Sequence, residues 1–162
     1  ATHVGVRELY PNYEEFFTAL PRIKVRLNGA DCLIVDAPDL AHEPIVTNDL
    51  AVVQGEKTFK ILGRTDNVII TGGIKIHPES EHNKLSKYID NRFFISSESE
   101  KDLGQQIVIY VEGEESDLDS AFAKAKLGKF EKPRKVIFVS EFAETHTAKV
   151  DRKVIIANHR NR

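Results

Sequence analysis

The stretch Gly63-Arg64-Thr65-Asp66-Asn67, followed closely by Thr71-Gly72-Gly73, sets a planar cation, a carboxylate and paired glycines side by side. Arg64 carries a rigid donor fork suited to ribose or phosphate oxygens. Its plainer use is to pair with Asp66 or another surface carboxylate, an interaction of ~0–1 kcal/mol. Gly72-Gly73 suits a bare hairpin turn, or a place where backbone must approach a ligand with no side chain in the way. It matches neither a P-loop nor a dinucleotide fingerprint, so no phosphate cradle is read here. Upstream, Thr47-Asn48-Asp49 precedes an apolar run. Asp49 is either a turn acceptor or a pair of oxygens that accept from vicinal hydroxyls, as on a ribose. Downstream, Lys149 stands among Thr145, Thr147 and the run Asp151-Arg152-Lys153. That segment reads as a solvated tail, or it offers a point charge to a transferring phosphoryl group. His77 and His82 do not have the i, i+4 spacing of a helical zinc pair. A solvated helix start is expected there, and no metal site. No serine stands at a nucleophile elbow.

These residues need elements to hold them. In residues 1–65, Ile23, Val25 and Leu27 alternate with Lys24 and Arg26, the period of a half-buried strand. Asn28-Gly29 predicts a turn, and Cys32 to Asp36 a returning strand. A second hairpin is predicted around Gly55, with Thr58 to Leu62 as its return. Tyr13 to Leu20 would make at most a short helix. After Arg64 the pattern changes. Val68 to Ile70 reads as a short strand before the glycines, and Pro78 as the first turn of a helix with Glu79 and Glu81 at its positive end. Leu85, Tyr88 and Ile89 share one helical face. Arg92 to Ser96, Gln106 to Glu112 and Lys135 to Val139 read as strands. Ser116 and Asp119 suggest a capping box before a helix whose face is Leu118, Ala121, Phe122 and Ala125, with Gly128 as its stop. The tail from Thr145 reads as polar and basic. The expected fold class is therefore α+β: a small antiparallel β subdomain over residues 1–65, then a compact α+β domain over 66–162 with about three strands and two helices.

Composition narrows the partners. A net charge of −2 over 162 residues argues against nucleic acid or an anionic membrane. No apolar run approaches the ~20 residues needed to span a bilayer. Cys32 is the sole cysteine, which suits a reducing compartment, so a cytoplasmic protein is expected. The first residues lack the basic-then-apolar pattern of a secretory leader. With no methionine anywhere, the chain is expected to be a fragment or processed form of a larger protein.

Taken in order and spacing, the stretches resemble a known family. The chain is similar to the C-terminal part of the adenylate-forming enzymes: acyl-CoA synthetases, luciferases and peptide-synthetase adenylation domains. Their T-G-D is matched by Thr47-Asn48-Asp49 and their G-R-x-D-D by Gly63 to Asn67. Gly72-Gly73 matches their glycine-rich loop, and Thr145, Lys149 and Arg152 match P-x-T-x-x-G-K-x-x-R. Asp102 to Glu114 and Phe130 to Phe142 resemble the family's connecting segments. The resemblance covers nearly the whole chain, and its specificity lies in the ordered set. Within the family, Ile70 to Glu79 and the Thr-Asn-Asp variant look most like o-succinylbenzoate–CoA ligases of menaquinone synthesis.

The resemblance implies a ligase that joins a small carboxylic acid to a thiol. ATP, Mg2+ and coenzyme A would be substrates of the intact enzyme, with AMP released. Asp49 would hold the ribose hydroxyls and Arg64 would support the nucleotide. Asp66 would be a hinge between half-reactions, and Lys149 would bridge the acid and the α-phosphate. Gly72 and Gly73 would line the pantetheine path. The departures are Asn48 for Gly, Asn67 for Asp, Ala143 for Pro and Ala148 for Gly. If the last position needs positive φ, alanine there costs ~1 kcal/mol or more. The family's large N-terminal region has no counterpart here, so this chain alone is expected to be inactive. Two other readings stand beside it: a domain that loads a carrier protein, and a non-catalytic binding module. The basic patch Lys129, Lys132, Arg134 and Lys135 would serve a carrier, the nucleotide end of coenzyme A, or solvent alone.

Overall fold

The computed structural model describes residues 3–160; the outermost residues of both expected domains lie outside them. The chain forms two compact units, Ala1–Val68 and Ile69–Arg162.

The first unit is a six-stranded antiparallel sheet. Its strands are β1 (Gly5–Val6), β2 (Phe17–Ala19), β3 (Lys24–Leu27), β4 (Cys32–Asp36), β5 (Ile45–Gln54) and β6 (Thr58–Arg64), in the order β1-β2-β6-β5-β4-β3. Val25 is buried between exposed Lys24 and Arg26, as the alternation requires. Phe59, Leu33, Val35 and Ala51 complete the core on one face. The β3–β4 turn works differently from the expected Asn-Gly pair. The Asn28 side-chain oxygen accepts from the backbone N–H of Ala30 and of Cys32, both at 2.9 Å, and Asp31, not Gly29, takes the positive φ of 58°. Tyr13 to Leu20 is not helical, because Phe17 and Thr18 pair with Phe59 and Thr58 of β6.

Among the described residues the second unit holds a five-stranded sheet and three helices, more than the three strands and two helices expected. Its strands are β7 (Ile69–Thr71), β8 (Ile74–Ile76), β9 (Phe93–Glu100), β10 (Gly104–Glu112) and β11 (Lys135–Val139). The helices are α1 (Pro78–Leu85), α2 (Asp119–Lys124) and α3 (Arg152–Arg160). β10 is central, with β9 antiparallel to it and β11 parallel. The parallel pairing follows from the crossover through α2. Ile107, Ile109 and Val111 of β10 pack with Leu85, Phe93 and Phe122. Val108 and Tyr110 point the other way, into a second cluster with Phe94, Phe142 and Ile155. A strand covered on both faces must be apolar throughout, which is why this run shows no alternation.

Several local expectations change. Pro78 does open α1 at N1 or N2, yet the helix start is not solvated. Glu81 is 3% exposed, and the His82 ring lies 4.4 Å from that of Phe93. Burial pushes the Glu81 carboxyl above the usual carboxylate range despite the Lys84 ammonium at 3.0 Å. Burial also opposes the charge on Lys84, but its bonds to Glu131 and Glu81 outweigh that and raise it. The two shifts have different causes, burial for Glu81 and ion pairing for Lys84. Lys84 keeps a third of its side chain in solvent, so the desolvation cost falls on the carboxylate. Burial, aided by the Arg152 charge, holds His82 below the ordinary imidazole value. Leu85 and Ile89 are buried as expected, but Tyr88 is exposed. α2 has no capping box, since Leu118 is its N-cap and no side chain caps it. Its end is marked by Lys126 at φ 52°, ahead of Gly128. The tail is ordered as α3, whose Ile155 is buried.

Candidate functional site

Asp49 and Arg64 are directly opposed partners on β5 and β6. Arg64 Nη1 donates to Asp49 Oδ1 at 3.1 Å, and Nη2 donates to Asp66 Oδ2 at 3.2 Å. A 3-10 turn, Thr65–Asn67, brings Asp66 back beneath the guanidinium. Asn48 joins them: its amide nitrogen donates to Asp66 Oδ2 at 3.3 Å, and its carbonyl accepts from the Thr65 hydroxyl at 3.4 Å. Thr47 is a brace. Its hydroxyl donates to the Leu33 carbonyl at 2.8 Å and accepts from the Asp49 N–H at 3.1 Å. The bond that Arg64 donates to Asp66, then the nearby Asp49 charge, raise the guanidinium further above its already high value. The plain reading of Arg64 as the partner of Asp66 is thus realised, and Asp49 is held by the same fork. Asp49 also lies at the rim of an apolar groove of about 300 Å³, lined by Phe17, Leu33, Ile45, Phe59 and Ile61 among others. A carboxylate at the edge of an apolar bed suits a ligand with a flat apolar part and a hydroxylated part.

Gly72 and Gly73 form the two-residue turn between β7 and β8. Both have positive φ, 55° and 80°, the pattern of a type I′ hairpin. The glycines differ in surroundings. A Cβ on Gly72 would lie 2.8 Å from Phe130 Cε1, whereas one on Gly73 would meet nothing within 4 Å. Only Gly73 leaves open space for a passing ligand. Phe130 is far away in sequence, and nothing in the chain's pattern announces it.

Lys149 stands on a tight turn rather than a loose tail. The Thr145 N–H donates to the Lys149 carbonyl at 2.7 Å, the Ala148 N–H to the Thr145 carbonyl at 2.9 Å, and the Lys149 N–H to Thr145 Oγ1 at 3.2 Å. Glu144 and Val150 close the base as an isolated bridge. Ala148 has φ 55°, so this position does require the left-handed region. The Lys149 side chain is exposed and makes no hydrogen bond or ion pair among the described residues. Just beyond, Asp151 Oδ1 accepts from the Val154 N–H at 3.2 Å, capping α3. In the basic patch, Lys132 pairs with Asp119 at 3.5 Å and Lys135 with Glu98 at 3.2 Å.

The structure thus gathers Asp49, Arg64 and Asp66 in the first unit, with Asn48 added. Gly72, Gly73 and Lys149 belong to the second. Among the described residues no three His, Cys, Asp or Glu side chains cluster as a metal would need, and no helix is long and apolar enough to cross a membrane.

No protein-family model matches the chain. It is similar over nearly its whole length to the crystal structure of an AMP-forming acyl-CoA synthetase/AMP-acid ligase II-like protein from Dyadobacter fermentans. That match has 28% identity and a TM-score of 0.55, and covers 97% of this chain and 47% of that one. The fold is the C-terminal part of the adenylate-forming fold, and the likeness supports the AMP-forming acyl-CoA synthetase superfamily. Among particular proteins, o-succinylbenzoate CoA synthetase from Bacillus subtilis, solved with its acyl-adenylate intermediate, shares the fold. Its TM-score is 0.71 at 16% identity, over 85% of this chain and 34% of that one. A mitochondrial medium-chain acyl-CoA ligase from Bos taurus is 26% identical over 112 residues, 65% of this chain. The chain corresponds to about 18% of that relative's length.

Proposed function

We propose that the chain is the C-terminal section of an ATP-dependent, AMP-forming acid–thiol ligase. The parent would form an acyl-adenylate and then a coenzyme A thioester. The observation that carries this reading is the Asp49–Arg64 pair, set across two strands at the rim of an apolar groove in a fold of this class. In the first half-reaction a carboxylate oxygen attacks the α-phosphorus of ATP and pyrophosphate leaves. Asp49 would accept from the ribose hydroxyls, oriented for this by the Arg64 fork. Lys149, whose ammonium has no competing partner among the described residues, would stabilise the negative charge building up between carboxylate and α-phosphate. In the second half-reaction the thiol attacks the acyl carbon and AMP leaves. Asp66, two residues before the boundary between units, is proposed as the pivot between the half-reactions. Gly72 and Gly73 would line the thiol arm's path. Donors for Mg2+ are not assembled among the described residues. O-succinylbenzoate is the proposed acid, supported by the resemblance of Ile70 to Glu79 and by the fold likeness to an o-succinylbenzoate CoA synthetase.

The test uses the intact parent with ATP, Mg2+ and o-succinylbenzoate, and follows pyrophosphate exchange into ATP. Lys149→Ala should abolish exchange while sparing thioester formation from preformed acyl-adenylate. Equal loss of both half-reactions would show that the lysine's assigned role is wrong. Exchange with other acids but not this one would overturn the substrate.

A further inference from the structure

We infer that Arg92 is a positioning residue for the Lys149 turn, an inference that rests on the role proposed for that lysine. Arg92 immediately precedes β9, and all its side-chain nitrogens are engaged. Nε donates to Glu112 Oε2 at 2.6 Å and Nη2 to Glu112 Oε1 at 2.7 Å, a two-point fork on the last residue of β10. Nη1 donates to Glu144 Oε1 at 2.5 Å. Glu144 is the residue before Thr145, whose backbone and hydroxyl close the lysine turn, and it forms the bridge to Val150 at the turn's base. Arg92 therefore ties the end of the central strand to the foot of the turn.

The surrounding bonds give this tie its direction. Glu112 Oε1 also accepts from the Phe142 N–H at 2.7 Å. The Phe142 ring is buried in the cluster with Phe94 and Tyr110, and the guanidinium carbon of Arg92 lies 6.0 Å from its centroid. The segment leaving β11 is thus clamped at Phe142 by Glu112 and at Glu144 by Arg92. After the turn, the Asp151 N–H donates to the Ala143 carbonyl at 2.8 Å, and Asp151 caps α3. Between these anchors no other side chain from β9 or β10 bonds to the segment. A planar fork can bridge two carboxylates at fixed angles, whereas a lysine's point charge cannot. The pairs are half-exposed, so their value lies in orientation more than in stability.

Amide hydrogen exchange by NMR on the whole chain reads the turn directly. Glu144→Gln leaves the Arg92–Glu112 fork intact, so it tests the tie even where Arg92→Gln disturbs folding. Both variants, and Arg92→Lys, should speed exchange at the Thr145 and Lys149 amides about tenfold. The Gly72 amide, bonded to the Leu103 carbonyl, should keep its rate. Unchanged protection at Thr145 and Lys149 in all three would overturn the inference. In the intact parent, Arg92→Lys should lower kcat for pyrophosphate exchange about tenfold at unchanged KM for ATP and spare the thioester step. A loosened turn with unchanged exchange kinetics would refute the lysine's role and, with it, the catalytic part of this inference, while the structural tie would stand.

Discussion

Ala148→Gly tests the geometry of the lysine turn most directly. Ala148 sits at φ 55°, where an L-residue's Cβ crowds the following carbonyl at a cost of roughly 1–2 kcal/mol. Glycine adopts this conformation without that crowding. It also gives the unfolded chain more freedom, which returns roughly 0.4–1 kcal/mol. The balance is a stabilisation of about 0.5–1 kcal/mol, or a rise in melting temperature of about 1–4 °C for a chain of this size. Thermal unfolding followed by far-UV circular dichroism, backed by urea titration at constant m-value, would read it. The Thr145 amide should exchange no faster, because its acceptor, the Lys149 carbonyl, stays in place. A fall in stability of roughly 0.4–1 kcal/mol is what glycine does at a strain-free site, and it would refute the strained assignment. In the intact parent the same variant should raise the adenylation rate. An unchanged rate would mean the alanine does not misplace Lys149.

The β7–β8 turn makes a graded prediction: Gly72→Ala and Gly73→Ala should each lose about 1 kcal/mol from positive φ, and Gly72→Ala more, because its Cβ meets Phe130. Equal losses in urea titration would mean the aromatic ring yields freely. Glu81 predicts a pH dependence. Its folded-state pKa is raised, so its favourable contribution is fully present in acid and is lost as pH climbs from the ordinary carboxylate value through the raised one. Stability of Glu81→Gln, measured by denaturation from about pH 4 upward, should lack that loss; parallel profiles for the two proteins would refute it.

Much of the first unit was legible because its strands alternate. Val25 between Lys24 and Arg26 declares its own face, whereas Asp49 and Arg64 lie just outside the predicted hairpin strands and pair because both strands run further than the apolar pattern shows. Asn48 was legible only as a departure, since its bond to Asp66 depends on a 3-10 turn that no periodicity signals. The second half of β9 hid for another reason. Its residues Ser97 to Glu100 are polar, and they are held by pairing with β10, including a 2.6 Å bond from Gln106 Nε2 to Glu98. α3 escaped notice because Val154, Ile155 and Ile156 are adjacent rather than spaced at helical intervals, and only Ile155 is buried. At α2, Lys126 takes the left-handed φ that glycine usually marks, so Gly128 pointed past the true end.

The two-sided burial of β10 has a mechanical consequence. Alternate side chains of one strand wall two separate apolar clusters, so neither cluster can be breached without withdrawing support from the other. The segment bearing the lysine turn is rooted in that shared wall through Phe142 and Ile155. The stretch from Phe142 through Ile155 is thereby made to survive for as long as the centre of its unit does.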